Sequence, residues 1–479
     1  MDNLAIKLTI FASAICVSAF AANKNLTPKD DFVTAMTNAT AGDTLFFEAG
    51  TYKVPYTQGA KNTIVLKKSG TADKPIVFYA QGHAKAIIDF QFPELTYVQD
   101  SYGLSMTGSY YELHGIGITR AGYQGAYVTG SYNSFINCAF FENRNSGLEI
   151  NKGGNHTLVE NVDSYRNYDP KKKGGMADGF ASKQTQGAGN VFRGCRAWEN
   201  SDDGFDFFDS PDSVMVYDSW TFRNGINVFG YPDSLWDVNG NGFKMGGNSK
   251  QANHRCTRCI AFDNLAKGFD QNNNSGGITV EQSIGYRNGI NYGMGGKLNA
   301  GQQHHLRNNV SYKGKSADSF TSGSEQTTNA WDLSISVANS DFLSLDTSLA
   351  RGRDAQGNLS TGNLFKLASS SKLIDKGTNI GYEYSGKAPD LGPYEYAATA
   401  QSSSSSAKSS SSSSVASSSS QVTEISSSSE VVESSSSCEA TLRINRPETA
   451  RINLRGKQHF NALGKKVKGA ERYRITFTN

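Results

Sequence analysis

Between residues 138 and 288 one short pattern returns six times, and it constrains the fold more than any other feature of the chain. The copies are Cys138-AFFE-Asn143, Val162-DSYR-Asn167, Cys195-RAWE-Asn200, Ser219-WTFR-Asn224, Cys259-IAFD-Asn264 and Ser283-IGYR-Asn288. Two positions before each Asn stands an aromatic residue: Phe141, Tyr165, Trp198, Phe222, Phe262 or Tyr286. Five before it stands a small residue or Val. A weaker copy ends in Tyr312-Lys-Gly314. Successive Asn residues are 24, 33, 24, 40 and 24 positions apart.

A unit of that length with variable insertions suits one turn of a parallel β-helix, where short strands stack coil on coil and loops expand on one face. A β-propeller needs a longer unit, about 40 residues per blade. The expected fold is therefore all-β, a parallel β-helix. Each Asn is expected at the same corner in a turn conformation that other residues resist, its amide bonding the next coil. The aromatic and small residues are expected to stack into one continuous core, with Cys138, Cys195 and Cys259 on an inward ladder and unbonded.

The rest of the chain is organised around this block. Asp30 to Asn38 reads as a short helix capping the open end, and Gly42–Tyr52, Pro75–Ala80 and Ala86–Asp89 read as strands. Residues 1–21 look like a signal peptide: Lys7, an apolar run from Leu8 to Phe20, and an Ala19-Phe20-Ala21 cleavage site. The run is too short to span a bilayer, and no later stretch is long and apolar enough. Residues 22–397 form the solenoid domain, and 398–437 a Ser-dominated linker unable to bury a core. Residues 438–479 form a small module with ten Lys or Arg against three Glu. Wall or surface attachment through this module, a sorting role and an inert tail are all consistent with it. The 47 basic and 44 acidic residues nearly balance, which speaks against nucleic acid as a partner. Cys138, Cys195, Cys256, Cys259 and Cys438 are too scattered for a disulfide scaffold. A secreted monomer is expected.

Chemistry-bearing residues lie just after the repeated Asn. Four positions later comes Gly, then a large apolar residue, then an outward position: Gly147-Leu148-Glu149, Gly204-Phe205-Asp206 and Gly268-Phe269-Asp270. Gly179-Phe180-Ala181 and Gly242-Phe243-Lys244 follow the same register after longer insertions. Asp202, Asp203 and Asp206 thus share one coil, and Asp178 sits on the coil before. With coils about 4.8 Å apart, four carboxylates converge. Either they form a solvated acidic turn or they hold a hard cation, and Ca²⁺ takes such oxygen donors. Lys244 holds on the next coil the place of Asp206: either an ion-pair partner or a base whose ammonium form a nearby cation disfavours. A cation and an amine together suit β-elimination of a uronate, with Lys244 taking the C5 proton and the C4 oxygen leaving. Arg193, Arg223, Lys183 and Lys267 are either substrate-carboxylate binders or plain surface charges, and the second reading is favoured for each.

Asn-Ser-Asp202-Asp203-Gly-Phe-Asp206, Ala-Asp178-Gly-Phe-Ala and Gly-Phe-Lys244-Met-Gly-Gly resemble the signature of family 9 polysaccharide lyases. The resemblance covers most of Leu26 to Tyr396, including Lys-Leu-Ile-Asp375-Lys-Gly and Pro389-Asp-Leu-Gly-Pro-Tyr. It implies a right-handed parallel β-helix and pectate lyase activity on polygalacturonate or pectin. It also implies Ca²⁺ on Asp178, Asp202, Asp203 and Asp206, with Lys244 as Brønsted base. The rivals are a β-helix polygalacturonase, which needs an acid and a base carboxylate across the sugar, and a noncatalytic carbohydrate-binding or adhesin solenoid. A different polyuronate, such as alginate, stays open.

Overall fold

The computed structural model describes residues 22–360 and 362–397. The expected signal peptide, the Ser-rich linker and the basic C-terminal module lie outside them, as does Cys438. Among the described residues the backbone winds as a parallel β-helix with three sheets of twelve, ten and ten strands. One coil shows the pattern: Ser134–Ile136 in the first sheet, Ala139–Phe141 in the second, Leu148–Ile150 in the third. Each strand pairs in parallel with its counterpart one coil away, as in Leu148↔Phe180 and Phe205↔Phe243. Near the N-terminus the strand Asn23–Leu26 precedes a helix, Phe32–Asn38. The helix starts there because Asp31 caps it, accepting the Thr34 N–H at 3.0 Å. Phe32 and Met36 bury their side chains in the solenoid core, Phe32 edge-on to Tyr52 at 5.3 Å.

Inside the coils the Gly-Phe ladder is a column of rings. Phe180–Phe205, Phe205–Phe243, Phe243–Phe269 and Phe269–Tyr292 centroids lie 5.0, 4.8, 5.2 and 4.9 Å apart. Glycine precedes each Phe because the coils touch there. A Cβ on Gly204 would stand 2.0 Å from Thr221 Oγ1, and one on Gly179 2.7 Å from the Ala197 Cβ. Cys138, Cys195 and Cys259 are buried and unbonded, with Val162 and Ser219 in the same register on the intervening coils.

The Asn ladder is present: Asn143, Asn167, Asn200, Asn224, Asn264 and Asn288 each donate from Nδ2 to the next amide oxygen at 2.8–3.0 Å. The special backbone conformation, however, belongs to the residue before. Glu142, Arg166, Glu199, Arg223, Asp263 and Arg287 have φ of 54° to 56°, whereas the Asn residues keep ordinary values. The left-handed residue makes the turn while its charged side chain points outward, leaving the Asn amide buried and free to bond along the stack.

The repeated aromatics also differ from the expectation. They do stack, Phe141–Tyr165 at 5.0 Å, Tyr165–Trp198 at 4.4 Å and Phe222–Phe262 at 4.7 Å, but outside the coils. In Arg196-Ala197-Trp198 alternate side chains face opposite ways. Ala197 enters the inner core, and Trp198 joins a second apolar layer on the outer surface. Phe342, Phe365, Leu367, Leu373 and Leu391 from the C-terminal stretch cover that layer. Arg353 fastens the stretch by donating to buried Asp163 at 2.6 Å, and Arg196 donates to the same carboxylate at 2.7 Å.

Candidate active site and metal centre

Two neighbouring rows of the third sheet build the site. The first is the position just before each ladder glycine, occupied on successive coils by Ser146, Asp178, Asp203 and Asn241. These side chains bond along the row. Ser146 Oγ donates to Asp178 Oδ2 at 3.0 Å, the Asp203 N–H to Asp178 Oδ1 at 3.3 Å, and Asn241 Nδ2 to Asp203 Oδ1 at 2.9 Å. The second row is the outward position after each ladder apolar residue: Tyr127, Glu149, Ala181, Asp206, Lys244 and Asp270, each paired with the next.

Asp178, Asp203 and Asp206 bring one oxygen each to a common point, all within 4.8 Å of one another. All three are buried. Asp202 is placed differently: its oxygens accept the Met176 and Asn239 N–H groups at 2.7 Å each. It thereby ties together the two insertions that flank the site. Lys244 lies on the coil beyond, Nζ 2.9 Å from Asp203 Oδ2 and 3.7 Å from Asp206 Oδ1, with its side chain 11% exposed.

Lys183 is the residue the sequence reading set aside as a surface charge. It is buried, and its ammonium donates to Asp178 Oδ2 at 2.8 Å and Asp206 Oδ2 at 3.1 Å. Strand alternation from Phe180 puts residues 181 and 183 on the same outward side, so a signal was available. Burial was not, because it depends on the neighbouring coil. The other three lysine and arginine candidates are engaged elsewhere: Arg223 with Glu199, Lys267 with Asp270, and Arg193 above the Tyr217 ring.

The charges here strain against one another. Desolvation pushes the Asp178 carboxyl up to about 7 and Asp203 well above the usual carboxylate range. Asp206 feels the same desolvation, but the ammonium groups of Lys244 and Lys183 hold it below its ordinary value. Burial works against the Lys244 ammonium, yet the carboxylates of Asp206, Asp203, Asp178 and Asp202 outweigh it and raise its pKa. Neighbouring carboxylates add to the effect of burial on Asp178 and Asp203, and the two ammonium groups oppose it. The donor set is hard oxygen from three positions on two coils, which fits Ca²⁺.

A family model described as "Pel9A-like, right handed beta helix region" matches residues 17–309. "Pectate lyase L" of Dickeya chrysanthemi is 54% identical over 366 residues, which span 76% of this chain and 85% of that protein. A solved structure titled "Crystal structure of pectate lyase Pel9A" superposes with a TM-score of 0.74 at 49% identity, covering 79% of this chain and 97% of the other. A second solved structure, titled "Rhamnogalacturonan lyase", reaches 0.60 at 25% identity over 73% of this chain and 97% of its own.

Proposed function

This chain belongs to the Pel9A-like right-handed β-helix family, and from that membership we propose that its site performs calcium-dependent β-elimination on polygalacturonate outside the cell. The protein is a pectate lyase, a polysaccharide lyase. The observation that carries the finer reading is the single constellation of three convergent buried carboxylates and a partly accessible lysine one coil away.

Asp178, Asp203 and Asp206 hold the cation in this proposal. Asp202 completes the set, since each of its oxygens keeps a lone pair beyond the backbone N–H it accepts. Bound there, Ca²⁺ supplies charge that neutralises a uronate carboxylate and favours the carbanion-like state next to it. Lys244 takes the C5 proton. To do so it must be neutral, and it loses its anionic partners once their oxygens are engaged, which eases deprotonation. Activity is accordingly expected to climb toward alkaline pH. The electron pair left at C5 forms the C4–C5 double bond as the C4 glycosidic oxygen departs, so no water nucleophile is required. Lys183 stays between Asp178 and Asp206 as a fixed counter-charge. Residues 1–21 provide the export signal in this reading.

The test mixes purified protein with polygalacturonate at alkaline pH and follows the ultraviolet absorbance of unsaturated uronide. Chelation abolishes the rise and added calcium restores it. Lys244→Ala lowers the rate by about 10²–10⁴-fold, the usual worth of a general base. New reducing ends without that absorbance would mean hydrolysis and would remove Lys244 from its role. A protein that binds the polymer without cutting it would be a carbohydrate-binding solenoid.

A further inference from the structure

Four tyrosines gather on the same outward face as the carboxylates, toward the N-terminal end. Tyr102 and Tyr127 stack in parallel with centroids 4.8 Å apart. Tyr123 lies 5.5 Å from Tyr102 and 5.4 Å from Tyr97. All four are half-buried. Tyr127 belongs to the row that leads through Glu149 and Ala181 to Asp206. Three coil steps separate it from Asp206, about 14 Å at the usual strand spacing.

Two cations complete the cluster. Lys152 Nζ stands 5.8 Å from the Tyr127 ring centre and Lys171 Nζ 5.3 Å from that of Tyr97. Both lysines are exposed, and neither enters an ion pair among the described residues. Lys171 comes from the insertion that ends on Asp178, so the loop shaping the catalytic coil also reaches the tyrosines. The nearby acids are held in place by their hydrogen bonds, and of the three only Asp100 is paired with a cation among the described residues. Glu149 accepts from Gln124 and Asn151 at 2.9 Å each. Asp169 is buried and accepts from Asn145 and the Lys171 and Lys172 N–H groups. Asp100 pairs with Lys61.

We propose that Tyr97, Tyr102, Tyr123 and Tyr127, with Lys152 and Lys171, form a remote subsite for the polyuronate chain, three coils to the N-terminal side of the catalytic carboxylates. It rests on the pectate lyase reading of the site and adds where a long substrate is held. Tyrosine rings meet the apolar C–H faces of a pyranose while their hydroxyls bond its hydroxyl groups. The two ammonium groups face a polymer that carries one carboxylate on every sugar, and the row from Tyr127 through Glu149 and Ala181 joins the subsite to Asp206.

The experiment uses the full-length, calcium-loaded enzyme and measures kcat and KM on oligogalacturonates of increasing length. Tyr127→Ala, and separately Lys152→Ala with Lys171→Ala, are expected to raise KM for long chains about tenfold. KM for the shortest cleavable chains, and kcat throughout, stay at the parent values. Tyr127→Phe is expected to recover part of the loss. The lysine variants change only exposed side chains, so they report on binding even where Tyr127→Ala disturbs packing. Equal KM changes for short and long chains, or none for either, would overturn the subsite while leaving the lyase reading in place. A parent enzyme that yields no unsaturated product from any of these chains would overturn both.

Discussion

The third sheet and the second sheet come from one repeat, yet their outward faces end in opposite states. On the third, the positions flanking the Gly-Phe ladder carry Asp178, Asp203, Asp206 and Lys244, and the charges face one another across coils. On the second, the same kind of outward position carries Trp198, Phe222 and Phe262, and a C-terminal stretch lies across them. Period-two alternation settles inside against outside on both. The second sheet is covered by a distant segment, which packs on its rings and pairs Arg353 with its outward Asp163, whereas on the third sheet the charges meet one another across coils and Lys244 keeps a partly exposed side chain. A solenoid thus separates stability from function by sheet face.

That contrast is sharpest in what calcium does to a mutation. Lys183→Met leaves Asp178 and Asp206 without their shared ammonium and is expected to cost about 3–5 kcal/mol in the calcium-free protein. Calcium should recover much of that loss, as read from denaturation with and without the ion. A loss that calcium leaves unchanged would mean Lys183 supports packing rather than charge. Trp198→Ala, on the covered face, is expected to cost about 3–4 kcal/mol through the cavity it opens. Here calcium should make no difference, and calcium affinity by calorimetry should match the parent. A calcium-dependent cost would erase the separation between the two faces.

A smaller effect distinguishes the faces by pH. Burial pushes the Asp178 carboxyl up to about 7, so folded protein holds a proton there that the unfolded chain gives up at about 4. Stability from this raised group is full below about pH 4 and is lost as pH rises through about 7. Calcium binding displaces the proton. Uptake at about pH 6 should therefore release acid, detected by repeating the calorimetry in buffers of different ionisation enthalpy. Asp178→Asn should reduce the release, and an unchanged release would locate the proton elsewhere.

The fold was legible because coil spacing and alternation are local in effect: once the Asn residues are aligned, Asp206 and Lys244 must be neighbours, as the register shows. The same alignment brought four carboxylates together, of which Asp178, Asp203 and Asp206 do converge, while Asp202 turns to the Met176 and Asn239 N–H groups. The turn was misplaced by one residue, since the buried amide signals the ladder while the left-handed backbone sits on the charged residue before it. The aromatics were assigned inward because aromatic character suggests a core. On these strands, however, Cys195 and Trp198 stand three positions apart and so face opposite ways. Only the tertiary structure decided that Trp198 would be covered, that Lys183 would be sealed between two carboxylates, and that four tyrosines would meet. The cover over Trp198 comes from far along the chain, as Arg353 reaches Asp163 across 190 residues, while Lys183 and the tyrosines depend on how neighbouring coils and their insertions meet. A periodic sequence determines its own stacking because each coil templates the next. What lies against the stack depends on contacts that no repeat encodes.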